Sequence, residues 1–269
     1  MEMAELVIKE VTKAFNKGTI NEKTALDDLS LTLEKGDFVT VIGSNGAGKS
    51  SLLNAIAGLW PVDKGRIWLA GQDLTGLPDY QRAALIGRVF QDPMLGTAAS
   101  MTIEENLALA AKRGMRRGLK KALTYQRRKQ MKEELAKLGL GLENRLITPV
   151  GLLSGGQRQA LTLLMAIYQE PQLLLLDEHT AALDPKTGEV VLKLTKNIVE
   201  SLKLTTIMVT HNIKDALKIG NRTIMMHEGR IVLDISGPQR EQMTTEDILR
   251  LFAETSGSQF SNDRMLLVQ

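Results

Sequence analysis

The sequence predicts an α/β fold, with a parallel sheet covered on both faces and a helical block inserted into it. Three observations lead there. Short continuous apolar runs such as Leu173–Leu176 alternate with helix-length segments, as expected of strands buried on both sides. A glycine-rich stretch from Gly43 to Gly48 separates one apolar run from a helical segment. From Thr102 to about Tyr168 the pattern turns helical, with periodic Leu, Ala and Met among many charges.

Taken in order, Glu5–Val11 and the segment carrying Leu29, Leu31 and Leu33 alternate at period two and read as strands. Asp37–Ile42 reads as a buried strand, ended by the glycine-rich turn and followed by a helix from about Lys49 to Ala57. Ile67–Leu69 and Leu85–Phe90 are further strands, and residues 91 to 165 form the inserted helical subdomain. Leu173–Asp177 is then a strand, Lys186–Leu202 a helix, Thr205–Thr210 a strand and Ile213–Lys218 a helix. Arg222–His227 and Arg230–Ile235 make a hairpin turning at Glu228-Gly229. A short helix, Thr245–Phe252, precedes a polar tail, Glu254–Gln269, that reads as loosely held.

The bulk properties narrow the classes. A chain of 269 residues can bury one sizeable domain, or a domain plus a subdomain. No apolar run approaches the roughly eighteen residues needed to cross a bilayer. Met1-Glu2-Met3-Ala4-Glu5 lacks the basic and apolar regions of a secretory signal. With no cysteine, disulfides and thiolate metal sites are excluded, which fits a reducing cytosol. The net charge of +3 is small but uneven, because Lys112–Lys132 holds ten Lys or Arg and no acid. Such a run reads first as a solvated face, with anionic lipid or nucleic acid as the alternatives.

Gly43-Ser44-Asn45-Gly46-Ala47-Gly48-Lys49-Ser50 fits G-x-x-x-x-G-K-[ST] in full, between a predicted strand and a predicted helix. A triphosphate is a dense anion that must be wrapped by backbone N–H groups, so glycines stand where side chains would block approach. Lys49 offers a point charge to the β- and γ-phosphates, and the helix aims its positive end at them. The Ser50 hydroxyl is a ligand for Mg²⁺, and Ser51 belongs to the same phosphate-binding set. ATP and Mg²⁺ are the expected cofactors. The alternative, a chance glycine turn, does not explain the strand–loop–helix setting.

Leu173-Leu174-Leu175-Leu176 ends in Asp177 and Glu178. In phosphoryl-transfer sites the first acid holds Mg²⁺, and the second is placed to polarise the attacking water. Neighbouring strand residues point to opposite faces, so both acids reach one site only where the backbone turns at the strand's end. Two solvated loop acids are the plainer reading, and the phosphate loop upstream weighs against it.

Leu153-Ser154-Gly155-Gly156-Gln157 opens a predicted helix, Gln157–Tyr168, with a serine and two glycines, a second place where N–H groups can meet an anion. Taken alone it equally describes a helix N-cap with a glycine turn. In this order and company the sequence resembles the ABC ATPases, whose signature is LSGGQ. The resemblance spans residues 5 to about 235. It implies a P-loop NTPase (RecA-like) core with a mixed sheet, an N-terminal antiparallel β subdomain and an inserted α-helical subdomain. By this likeness the ATPase domain is residues 1–240, its core 1–90 and 166–240, its helical subdomain about 91–165, with a short C-terminal helix and tail in 241–269.

Further roles follow from the resemblance alone. Gln91 resembles the Q-loop glutamine that reaches Mg²⁺ and the water. Asp184, in Ala182-Leu183-Asp184, resembles the D-loop acid at a dimer interface, although it also reads as a helix cap before Pro185. His211 resembles the switch histidine that contacts the γ-phosphate, and Phe15 the aromatic that stacks on adenine. Ser154, Gly155, Gly156 and Gln157 of one subunit close over the γ-phosphate of another in a head-to-tail dimer. His179 departs from the family, which has proline after the glutamate; it suggests a looser turn and a pH effect near the site.

The function so implied is ATP hydrolysis by the motor subunit of a transporter, cytoplasmic and peripheral at the inner face of the cell membrane. Its partners are a second nucleotide-binding subunit, a separate transmembrane permease that meets Gln91 and the block around Pro93–Met101, and a solute-binding protein. No nucleic acid is expected. The segments Gln91–Gly96 and Asp177–Pro185 look like ATPases of uptake systems, with amino acids as a candidate cargo. A soluble ABC-fold protein of the iron–sulfur, repair or translation kind, and a generic P-loop kinase or GTPase, are the competing readings. The last leaves Gln91, Asp184 and His211 as coincidences.

Overall fold

A computed structural model describes residues 5–115 and 121–256. The expected absence of a signal at Met1–Ala4, the basic residues Arg116, Arg117 and Lys120, and the tail beyond residue 256 lie outside the described residues. Along the chain the elements are β1 (Leu6–Phe15), β2 (Lys23–Leu33), β3 (Phe38–Ile42), α1 (Lys49–Ala57), β4 (Lys64–Leu69), β5 (Gln72–Asp73) and α2 (Asp79–Arg82). There follow β6 (Ile86–Val89), α3 (Ile103–Ala110), α4 (Tyr125–Ala136), α5 (Gly155–Ile167), β7 (Leu173–Asp177) and α6 (Pro185–Leu202). The last are β8 (Thr205–Val209), α7 (Ile213–Lys218), β9 (Arg222–His227), β10 (Arg230–Ser236), α8 (Gly237–Gln242) and α9 (Thr245–Ser256). The chain divides into two compact units, one built from the residues up to Arg82 and from Lys203 on, the other Ala83–Leu202.

The first unit holds an antiparallel sheet in the order β2-β1-β4-β5. Leu6 pairs with Leu33 on one side and Leu69 on the other, so the alternating leucines of β2 share a buried face with β1. In the same unit β3 lies between β8 and β9, parallel to both, while β10 runs antiparallel to β9. Every residue of β3 and β8 is buried, so neither strand alternates between an apolar and a polar face. Thr40 is the polar exception in β3. Its hydroxyl lies 2.8 Å from that of Thr223 and 3.1 Å from the Ala216 carbonyl, so its polarity is satisfied inside the core. Below these strands Ile42, Ile213, Met225, Ile235, Ile248 and Phe252 form one cluster that fastens α7 and α9.

Two buried arginines close helix ends in this unit. Arg82 donates to the carbonyls of Ala55 and Ile56 at 2.8 Å each, at the last turn of α1. Arg240 donates to Ala216, Leu217 and Ile219, at the end of α7. Both supply cations to the negative end of a helix dipole and partners to its unspent carbonyls.

The second unit pairs β6 with β7 in parallel, from Ile86 opposite Leu173 to Val89 opposite Leu176. Its helices are more broken than the sequence suggests. Between Thr102 and Tyr168 the helical pattern resolves into α3, α4, two single 3-10 turns (Leu142–Asn144 and Val150–Leu152) and α5. Gly139, Gly141 and Pro149 provide the stops. The expected polar tail also starts later, because α9 extends through Ser256. With β10 antiparallel among parallel neighbours, the α/β class holds and the sheet is mixed.

Candidate functional site

In the first unit the phosphate loop leaves the end of β3 and enters α1. Gly43 has φ 148° and Gly48 φ 103°, and a Cβ at either would fall 2.3 Å from the Met226 carbonyl oxygen or 2.5 Å from that of Ala25. Only glycine fits there. Gly48 is the N-cap of α1 and makes no side-chain cap, and the first turn holds no acid. The positive end of α1 is therefore left to an external anion. Lys49 is 5% exposed and folds back over the loop, its Nζ donating to the carbonyls of Gly43 (2.7 Å) and Ser44 (3.0 Å). Asn45, Gly46 and Ser50 are exposed, Ser44 and Ser51 half-buried, and Ala47 buried. The Ala47 carbonyl accepts from Gly229 N at 2.9 Å, so the β9–β10 turn braces the loop.

Phe15 ends β1, half-buried, and meets Trp60 edge-on with centroids 4.8 Å apart. Lys13 Nζ stands 5.4 Å from the same ring. His211 follows β8 directly before Asn212, whose Oδ1 caps α7 by accepting from Asp215 N at 3.1 Å. The first unit thus carries Phe15, Gly43–Ser51 and His211.

The second unit carries the remaining candidates. Asp177 closes β7, and the chain then turns sharply: Glu178 adopts φ 45°, a left-handed conformation that costs a non-glycine residue on the order of 1 kcal/mol. This is the backbone turn that two adjacent acids need if both are to face one site. Ala181 N donates to the Glu178 carbonyl at 2.9 Å and closes the turn.

His179, expected to loosen this turn and to bring pH sensitivity, does neither. It is 2% exposed, and its Nε2 lies 2.9 Å from the Thr195 hydroxyl in α6. That hydroxyl already donates its one hydrogen to the Val191 carbonyl, so His179 must be the donor and carry its proton on Nε2. Burial pushes its pKa down to about 4, leaving it neutral at physiological pH.

Gln91 is exposed just past β6, where Asp92 accepts from Met94 N at 2.8 Å and starts a turn. The segment behind it is organised by Asn106, 1% exposed, whose side chain bonds Ala98 N and the carbonyls of Ala98, Met101 and Thr102. Ser154 is the N-cap of α5 in a reciprocal box with Gln157, each N–H bonding the other's side chain at 3.3 Å. Serine's oxygen accepts there, so its hydrogen stays available to an anion. Gly155 is exposed, but Gly156 is buried: a Cβ would lie 2.2 Å from Thr187 Cγ2 in α6. Gly156 therefore also has a packing reason to be glycine, which the sequence does not reveal. Asp184 accepts from Thr187 N at 3.1 Å and caps α6; the hydrogen bonds from Thr187 lower its pKa.

The basic block is less free than its composition suggests. Arg128 makes a bidentate pair with the buried Glu104 at 2.7 and 2.8 Å, and Arg113 donates to the Ala166 carbonyl at 2.7 Å. Those two charges are structural. Sequence reading also passed over Arg88, Asn106 and Arg158. Arg158 ties the turn before Ser154 by donating to Gly151 and Leu153 carbonyls at 3.1 Å each. Nothing in a single sequence separates such hydrogen-bonded polar groups from freely solvated ones.

Of the residues expected to hold a metal, Ser50 lies in the first unit and Gln91 and Asp177 in the second; each carries an oxygen suited to a hard cation. Among the described residues no cluster of three His, Cys, Asp or Glu could cage a metal by itself.

The family described as ABC transporter matches residues 26–181. A tyrosine transport ATP-binding protein of Clostridioides difficile is 47% identical over 247 residues, covering 92% of this chain and 98% of its own. A methionine import ATP-binding protein of Enterococcus faecalis is 38% identical, and the match covers 86% of this chain and 64% of that protein. Among solved structures, a dimeric ATP-binding cassette, MJ0796, in a post-hydrolysis state bound to ADP and Pi, superposes with a TM-score of 0.73. It is 31% identical, with 86% of this chain and 98% of that one covered.

Proposed function

The chain belongs to the ABC transporter family as an ATP-binding, ATP-hydrolysing subunit, and on that premise we propose that it drives uptake of an amino acid through a separate membrane permease. The observation that supports the nucleotide-driven part of this reading is the loop at the head of α1, where glycine amides, Lys49 and the helix N-terminus are suited to cradle a triphosphate. Two relatives named for tyrosine transport and methionine import support the cargo class. Among the described residues no helix is long and apolar enough to cross a membrane, so the permease is taken to be another polypeptide.

In this reading Gly43–Ser51 and Lys49 grip the phosphates while Phe15 offers adenine its ring. Ser50, Gln91 and Asp177 are the residues that would hold Mg²⁺, which would neutralise charge developing on the phosphate oxygens. Glu178 orients and deprotonates the attacking water, and His211 contacts the γ-phosphate. Little covalent chemistry falls to the protein, so positioning and charge stabilisation dominate. Ser154–Gln157 of a second copy complete the nucleotide cage in a head-to-tail dimer, with Asp184 at that interface. The dimeric cassette with ADP and Pi supports this arrangement. Closing and opening of the dimer is the mechanical output. The working location is the inner face of the cell membrane, and a solute-binding protein delivers the cargo.

The test is affinity purification of the tagged chain from detergent-solubilised membranes. A polytopic permease should co-purify, and the reconstituted pair should take up tyrosine or a related amino acid only with ATP. Recovery of the chain from membranes without any integral partner would contradict the proposal.

A further inference from the structure

Between the acid strand and the Gln91 loop stands a side chain that the hydrolytic scheme does not use. The pairing of β6 and β7 sets Arg88 opposite Leu175. Asp177 lies two residues beyond Leu175 and Phe90 two beyond Arg88, so all three fall on one face. Arg88 Nη2 stands 3.5 Å from Asp177 Oδ2, with the side chains 12% and 15% exposed. Its guanidinium carbon lies 4.6 Å from the centre of the Phe90 ring. Its Nε and Nη1 are buried with no hydrogen-bond partner among the described residues. Leaving buried donors unspent is costly, and an apolar side chain of similar length would avoid that cost. The groups that offset it are the Asp177 carboxylate and the face of Phe90.

We propose that Arg88 is a positioning residue for ATP hydrolysis, orienting the Asp177 carboxylate for its metal and tying it to the segment that carries Gln91. A carboxylate rotates freely about its last bond. A fixed cation beside Oδ2 restricts that rotation and so narrows the orientations in which the carboxylate meets a metal. At 3.5 Å the contact is longer than a tight charge-assisted bond of about 2.7–2.9 Å, so Arg88 biases the carboxylate without capturing it. Desolvation lowers the pKa of the guanidinium, and Asp177 opposes that shift, so it stays charged. The line of contacts continues, because the Phe90 carbonyl accepts from Nε2 of the fully buried Gln159 at 3.4 Å. Gln159 belongs to α5, which Ser154 opens. Acid strand, Gln91 segment and signature helix thus share one set of contacts inside the second unit.

The proposal rests on Asp177 being a magnesium ligand, and the test separates the two ideas. Mn²⁺ binding to the full chain with a non-hydrolysable ATP analogue is followed by electron paramagnetic resonance in wild type, Arg88→Met, Arg88→Lys and Asp177→Asn. Arg88→Met should weaken Mn²⁺ binding about tenfold, the scale seen when the outer partner of a metal ligand is lost. Its kcat should fall by a similar factor. Nucleotide binding in EDTA should not change, because Lys49 and the loop amides carry that affinity. Arg88→Lys should recover most of the Mn²⁺ affinity, since it restores a cation beside Oδ2. Mn²⁺ binding within twofold of wild type in Arg88→Met, with Asp177→Asn impaired, would overturn the role of Arg88 alone. Normal Mn²⁺ binding in Asp177→Asn would remove Asp177 from the metal and the proposal with it. Loss of nucleotide binding in EDTA by Arg88→Met would show a folding defect, and Arg88→Lys behaving like Arg88→Met would remove the charge argument; either overturns the proposal.

Discussion

Where the ABC ATPases place proline, this chain places a histidine, and the partner it finds is sixteen residues on, at Thr195 in α6. The substitution itself is visible in Asp177-Glu178-His179-Thr180, but its consequence is not. A histidine beside a catalytic acid suggests pH control, and only burial and the Thr195–Val191 bond reveal a neutral, pinned ring. Two outcomes follow. ATPase activity between pH 6 and 8 should have the same profile in wild type and His179→Asn, because the native ring does not titrate there. Stability should behave differently. The unfolded ring titrates near 6.5 and the folded one at about 4, so the unfolded chain binds the extra proton between those values. The native state should therefore lose up to about 3 kcal/mol as pH falls from 6.5 to 4, and His179→Asn should lack that part of the slope. Urea unfolding at a series of pH values reads it directly. A shifted ATPase profile in the variant would return His179 to the chemistry.

Elements tell a similar story about what spacing can and cannot convey. The turn into α5 was legible from Leu153–Gln157, since a serine followed three residues later by glutamine is a capping signature. The reason for two glycines was not, because Thr187 is brought against Gly156 only by the packing of α5 on α6. Gly156→Ala should force that pair apart and cost about 1–3 kcal/mol, the range for an added methyl in a packed contact. Thr187→Ser removes the opposing methyl, so Gly156→Ala/Thr187→Ser should regain most of the loss and show a clear coupling energy. Thermal unfolding of the four proteins completes the cycle, and strict additivity would contradict the contact. The broken helices between Thr102 and Tyr168 were missed for a related reason. Leucine periodicity continues through the 3-10 turns, while the stops at Gly139, Gly141 and Pro149 act through single backbone positions.

On the scale of the molecule, the strand–helix order and the buried sheet were legible because continuous apolar strands leave few alternatives. The short pieces β5, α2 and α8 were not, being too brief to carry a period. The candidate residues divide between the two units, Phe15, Gly43–Ser51 and His211 in one, Gln91, Ser154–Gln157, Asp177, Glu178 and Asp184 in the other. The phosphate loop and the two acids were expected from their motifs, and Phe15, Gln91, Asp184, His211 and the role of Ser154–Gln157 from the family resemblance, while the structural groups Arg88, Asn106 and Arg158 became visible only in three dimensions. The central claim is that this chain hydrolyses ATP through Glu178 and works as a pair. Glu178→Gln tests it most directly, with nucleotide binding, single-turnover hydrolysis and mass by light scattering measured on one preparation. The expected result is unchanged ATP affinity, hydrolysis slowed by about 10²–10⁴ for loss of a general base, and a doubled mass with ATP and Mg²⁺ but not with ADP. Hydrolysis at the wild-type rate, or a monomer with ATP bound, would contradict it.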